Sequence, residues 1–166
     1  ALGIRQVFAN TYGKKEEELD DLEVVLKENN VTELITGAVA SQYQKKRIDK
    51  LCKKLDIIHT SPIWHIDPIQ ELNELSQNFK VIITQISAEG FDESFLGTII
   101  DDNMIQKLLK IREKYRINLL FEGGEAESFV LDAPLFKKQI LIKKFYKEIN
   151  GMVGQFKIDE VVLMDK

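Results

Sequence analysis

The first 78 residues alternate short apolar runs with helix-period stripes, and that order limits the fold more than any other feature of the chain. Residues 4–10 (IRQVFAN), 32–37 (TELITG) and 56–62 (DIIHTSP) each read as a strand. Residues 14–29 carry Leu19, Leu22 and Leu26 at helical spacing. Residues 41–55 place Ile48, Leu51, Cys52 and Leu55 on one helical stripe, and residues 68–77 repeat the pattern with Ile69, Leu72 and Leu75. Pro68 suits the first turn of that last helix. Strand and helix in strict succession predict a parallel sheet with helices packed on it. Ligands of such sheets bind beyond the carboxyl ends of the strands, so the loops after Asn10, Gly37 and Thr60 are the ones to inspect.

The pattern changes after residue 78. FKVIITQISAEG reads as a long strand, the turn-rich AEGFDESFLG follows, and residues 101–115 form a helix through Ile105, Leu108, Leu109 and Ile111. KKQILIKKFYKEI and GQFKIDEVVLM then read as two strands, with a turn in residues 151–154. The expected organisation is therefore an α/β lobe over residues 1–78 and a smaller α+β lobe over 79–166. No Pro/Ser/Gly-rich linker separates them, and a cleft between two lobes is a common place for a ligand.

Composition narrows the function. A net charge of -4 argues against a general nucleic-acid binder, although Lys45, Lys46, Arg47, Lys50, Lys53 and Lys54 concentrate positive charge on one helix. No apolar run approaches the roughly 20 residues that span a bilayer, and no signal peptide opens the chain. The single cysteine, Cys52, lies on an apolar helix face and cannot form an internal disulfide, which places the protein in a reducing compartment, the cytoplasm. Ala1-Leu2-Gly3 reads as a helix end closed by a glycine cap, so a preceding segment is expected.

Four segments can carry chemistry. In TGAVASQYQKKR, small residues follow a strand and Ser41 can cap the next helix, whose free N–H groups suit a phosphate; an ordinary strand-to-helix turn would look the same. Gln44 and Arg47 lie one turn apart there. HTSPIWHIDP either lines a pocket with Trp64 or is merely pinned by it. His59 and His65 are too few and wrongly spaced for zinc, and no metal site of the protein's own is expected. ISAEGFDESFLG groups Glu89, Asp92 and Glu93 around Gly90. FEGGEAESFVLDAP crowds Glu122, Glu125 and Glu127 around Gly123 and Gly124, with Asp132 beyond. Those acids are either a solvated turn or a site for a cation. No nucleophilic triad and no standard glycine-rich phosphate loop is present.

Taken in order, GAVASQYQKKRI, SPIWHIDP, AEGFDESFLG and EGGEAESFVLDAPLFKK resemble the diphthine–ammonia ligase family, the N-type ATP pyrophosphatases of the PP-loop superfamily. The resemblance covers roughly residues 37–138. It implies an adenine-nucleotide hydrolase-like (HUP) first lobe, and a ligase that uses ATP with magnesium to adenylate the carboxylate of diphthine on translation elongation factor 2. Ammonia then displaces AMP to give diphthamide. On this reading Gly37, Ala38, Ser41, Gln44 and Arg47 bind nucleotide, with Arg47 also countering charge at the α-phosphate. Glu125 and Glu127 act in the amidation. Trp64, Glu89, Glu122, Gly123, Gly124, Glu125 and Asp132 line the site for diphthine, whose trimethylammonium charge suits acids and aromatic faces. Family members carry an SGGKDS-like loop after their first strand that does not occur in these residues, so the chain by itself is expected to bind ATP weakly and to be a poor catalyst. A homodimer is left open. Two rival readings remain: a PP-loop ATPase that modifies tRNA, and a non-catalytic nucleotide-binding module.

Overall fold

A computed structural model describes residues 1–11 and 18–166, and the chain divides into two compact units. One is Arg5–Ile66; the other is Asp67–Lys166 together with Ala1–Ile4. The architecture is mixed α/β, with a two-stranded parallel sheet and a four-stranded antiparallel sheet. Among the described residues no helix is long and apolar enough to cross a membrane.

The first unit contains α1 (Glu18–Glu28), β1 (Glu33–Ile35), α2 (Gln42–Leu55) and β2 (Ile58–Thr60). The predicted opening turn of α1, from residue 14, lies outside the described residues. β1 and β2 run parallel with Leu34 opposite His59, and α2 provides the crossover that parallel neighbours require. Among the described residues, Leu26 of α1 and Leu51 and Cys52 of α2 are its buried apolar side chains. Asp56 closes α2 in the left-handed region at φ 56°, and its N–H bonds back to the Cys52 carbonyl.

Residues 4–10 do not form the predicted strand. A strand exists only where a neighbour takes up its backbone N–H and C=O groups, and among the described residues β1 and β2 pair only with each other. Phe8 is 83% exposed as a result. Gly3 takes a left-handed φ of 72°, and the Ala1 carbonyl accepts the Lys137 N–H at 2.9 Å.

The second unit contains α3 (Pro68–Asn78), β3 (Lys80–Ile86), α4 (Asp102–Tyr115), β4 (Ala126–Asp132), β5 (Lys138–Asn150) and β6 (Val153–Asp165), with strand order β4-β3-β6-β5. α3 packs Leu72 into this unit's core, so the units divide before α3, whereas the change in sequence pattern falls after it. Val81, Ile82 and Ile83 are all buried, which explains why β3 runs apolar instead of alternating. One edge of β3 is completed in two pieces: the segment 96–100 bonds to Val81 and Ile83, and β6 begins at Gln85 and Ile86. Gly151 and Met152 form the turn between β5 and β6, tighter than the predicted 151–154. Gly154 belongs to β6, where a Cβ would come within 3.0 Å of Ile149, Ile86 and Leu96.

Candidate functional site

In the first unit, polar side chains collect where β1 and β2 end. The Thr36 hydroxyl lies 2.9 Å from His59 Nε2 and 3.0 Å from the Ser61 hydroxyl. On the far side of the ring, His59 Nδ1 meets Asp49 Oδ1 at 2.5 Å, and Lys45 Nζ holds the same carboxylate at 2.9 Å. Lys45, and after it His59, hold the Asp49 carboxyl below the usual aspartate range. An ionised Asp49 can only accept, so Nδ1 carries a proton, and in the neutral ring Nε2 accepts from a hydroxyl. The His59 side chain is only 5% exposed. Sequence reasoning considered this histidine only as a metal ligand and missed the network. The available signal was a histidine inside an apolar strand, which must find a partner once buried.

Of the residues expected to hold nucleotide, Gly37 and Ala38 directly follow Thr36 of this network in the chain, and Ser41, Gln44 and Arg47 belong to the first half of α2 and its cap. A Cβ placed on Gly37 would meet nothing within 4 Å, so the backbone there is open. Ser41 caps α2 as expected, its side chain accepting the Gln44 N–H at 3.4 Å. Gln44 is exposed and Ala38 half-buried. The His65 N–H donates to the Val39 carbonyl at 2.8 Å, which fixes the loop after β2 to the loop after β1. Trp64 stacks on His65 with ring centroids 4.6 Å apart, and Lys45 Nζ stands 5.6 Å over its ring. Arg47 turns to α1: its Nη1 donates to Glu18 Oε1 at 2.9 Å, and its guanidinium lies 5.1 Å from the Tyr43 ring centroid.

In the second unit the two acidic glycine loops meet. The Ser87 N–H donates to the Glu125 carbonyl at 2.8 Å, the Ser87 hydroxyl donates to the Gly124 carbonyl, and the rings of Phe91 and Phe121 are 6.1 Å apart. Glu89 lines a cavity of about 470 Å³ formed by residues 88–93 and the β5–β6 turn. Asp92 accepts the Ser94 N–H at 2.8 Å, and hydrogen bonds from Ser94 lower its pKa.

The three glutamates of the other loop differ in kind. Glu122 is exposed, as are Gly123 and Gly124. Glu127 accepts from Gln85 at 3.1 Å, and Gln85 in turn accepts from Gln155 at 2.6 Å. Glu125 folds back: Oε1 accepts the Asn118 N–H at 2.8 Å, and Oε2 is shielded from water without a hydrogen-bond partner. Asp132 stands apart, bonded to Lys166 at 2.7 Å at the other end of β4, roughly 20 Å along a strand of this length. Lys166 also lowers its pKa. Trp64 belongs to the other unit. Among the described residues no three His, Cys, Asp or Glu side chains are grouped to hold a metal ion.

Two family models match the chain: the diphthamide synthase N-terminal domain over residues 1–58 and the diphthamide synthase C-terminal domain over residues 67–164. A Homo sapiens protein named diphthine–ammonia ligase is 35% identical over 145 residues, covering 86% of this chain and 54% of the relative. A Bos taurus protein of the same name is 36% identical over 139 residues, 82% of this chain and 52% of the relative. One from Schizosaccharomyces pombe is 34% identical over 130 residues, 76% of this chain and 21% of the relative. The chain thus spans about half the length of the mammalian relatives it matches.

Proposed function

The chain belongs to the diphthamide synthase family, and from that premise we propose that it carries the nucleotide-binding and substrate parts of an ATP-dependent ligase that converts diphthine on translation elongation factor 2 to diphthamide in the cytoplasm. The first unit is read as the adenine-nucleotide hydrolase-like part. The observation that carries this reading is the polar cluster at the carboxyl ends of β1 and β2, beside an open Gly37 and the capped start of α2.

The chemistry balances in two steps. A diphthine carboxylate oxygen attacks the α-phosphorus of ATP, and the bond to pyrophosphate breaks. Ammonia then attacks the acyl carbon, the bond to AMP breaks, and the nitrogen gives up one proton. Magnesium would arrive on the nucleotide phosphates, which is its usual mode of binding. Gly37 and Ala38 let the backbone approach the adenosine or α-phosphate, and Ser41 and Gln44 contact phosphate. Arg47 must exchange Glu18 for the α-phosphate, where its charge opposes the charge that builds up.

In the second unit Glu89, Glu122, Glu125 and Glu127 supply negative potential for a trimethylammonium group and for ammonium, with Gly123 and Gly124 allowing close approach. In the first unit, taken by itself, Trp64 offers an aromatic face of the kind quaternary ammonium groups favour. Asp132, held by Lys166, contributes only through its field. The test is to incubate the protein with ATP, ammonium and diphthine-bearing factor, and to measure AMP release together with amide formation on the factor by mass spectrometry. AMP release that ignores the factor, or no amide despite AMP release, would rule this reading out.

A further inference from the structure

Residues 118–125 hold two unfavourable features within eight positions. Phe121, a bulky residue, sits in the left-handed region at φ 59°, and the turn closes when the Gly124 N–H reaches the Phe121 carbonyl at 3.0 Å. Beside it, Glu125 keeps one oxygen on the Asn118 N–H and buries the other unpaired. A buried charged oxygen without a donor is costly, and a strained backbone next to it persists only where the surroundings impose it.

The imposing group is Ser87, at the end of β3. Its N–H takes the Glu125 carbonyl and its hydroxyl takes the Gly124 carbonyl, so both peptide units ahead of β4 are fixed from one residue. Gly123 completes the arrangement. A Cβ there would lie 2.7 Å from Glu125 Oε1 and 3.0 Å from Oε2, so any side chain at this position displaces the carboxylate.

We propose that Ser87 is a positioning residue, which with the side-chain-free Gly123 aims the Glu125 carboxylate so that Oε1 is spent on Asn118 and Oε2 is kept for an N–H of the small nitrogen cation that supplies the nucleophile. This rests on the ligase reading above and adds to it which of the three glutamates takes the cation and what holds it in place. Oε2 is shielded, so the cation enters as the Gly123-Gly124 turn opens, a movement that glycine backbone permits. An ammonium ion placed there finds a desolvated anionic acceptor, the arrangement in which a charge-assisted hydrogen bond is strongest.

The experiment follows the Asn118 amide proton by NMR during titration with ammonium chloride, against sodium chloride at equal ionic strength. The wild-type protein should show a saturable, ammonium-specific shift. In Ser87→Ala the half-saturation point should rise about tenfold, the equivalent of one lost hydrogen bond, and Ser87→Thr should restore it. Gly123→Ala should lose both the downfield Asn118 signal and the response, and it stands in if Ser87→Ala does not fold. In turnover Ser87→Ala should raise KM for ammonium and leave kcat at saturating ammonium nearly unchanged, a split that general loosening of the fold would not produce. Identical titrations in wild type and Ser87→Ala, or no ammonium-specific shift in wild type, would overturn the assignment. An ammonium response together with AMP release that yields no amide would instead sink the ligase reading and leave the positioning of Glu125 intact.

Discussion

A methyl group added at Gly97 would lie 2.4 Å from the Phe156 ring, at a backbone φ of 76° that L residues avoid. Both penalties act together, so Gly97→Ala is expected to cost about 2–4 kcal/mol in denaturant unfolding, combining overpacking with backbone strain. Gly37→Ala, with open space around it, should change stability by less than about 0.5 kcal/mol. Equal losses at the two sites would show that the loop after β1 is packed against something. Arg47 poses a sharper question. Its pair with Glu18 is partly exposed and should contribute only about 0–1 kcal/mol. Arg47→Ala should therefore reduce ATP–pyrophosphate exchange far more than it reduces stability, while Glu18→Gln leaves exchange near wild type. If Glu18→Gln lowers exchange as much as Arg47→Ala, the arginine acts only by tying α2 to α1. The Ser41 cap was legible in the sequence because it depends on immediate neighbours. The pair between Arg47 and Glu18 was not, since it joins residues 29 apart. The network of Asp49, His59, Thr36 and Ser61 was missed for the same reason.

Helices and strands were legible where their own period determines them. The stripes of α2, α3 and α4 and the two-residue-period runs of β5 and β6 needed no knowledge of neighbours. Residues 4–10 have equally strand-like composition, yet pairing is a property of two segments, and among the described residues no strand pairs with that segment. Caps offer a graded test at this scale. The Asp101 side chain accepts the Met104 N–H at 2.8 Å, whereas Ser41 reaches the Gln44 N–H only at 3.4 Å. Asp101→Ala should cost about 1–2 kcal/mol and Ser41→Ala about 0.5 kcal/mol in thermal or denaturant unfolding. The reverse order would mean that the Ser41 hydroxyl has a partner stronger than its cap bond. Asp92 caps the short 3₁₀ turn Glu93–Phe95, and its pKa is lowered there from the ordinary 3.8. A carboxyl depressed on folding stabilises above its unfolded value and loses that contribution as pH falls through the folded one. Asp92→Asn should therefore flatten the stability profile below about pH 4 and nowhere else; a change near neutral pH would contradict this origin.

The two units differ in how much apolar surface they remove from water. Of the buried apolar residues described, Leu26, Leu51 and Cys52 lie in the first unit and all the others in the second. In the parallel sheet Ile35 and Ile58 remain 65% and 66% exposed, although parallel strands are normally covered on both faces. Local stability follows buried contacts, so backbone amides of β1 and β2 should exchange with deuterium through a lower-energy opening than those of β3, β4 and α4. A ligand that binds only the folded form of a unit raises that unit's opening energy, by about 2.7 kcal/mol at a free concentration a hundredfold above Kd. A non-hydrolysable ATP analogue should consequently slow exchange in β1, β2 and α2 by up to about a hundredfold, with a smaller effect on β3 and β4. The same experiment with Arg47→Ala should need more analogue to reach the same protection. Protection appearing first in β3 and β4 would move the nucleotide out of the first unit, and with it the roles given to Gly37, Ser41 and Gln44. Weak binding is expected of these residues, so the analogue is titrated well beyond the concentrations that saturate ATP-dependent ligases. Unchanged protection everywhere at the highest of them would remove nucleotide binding from these residues altogether.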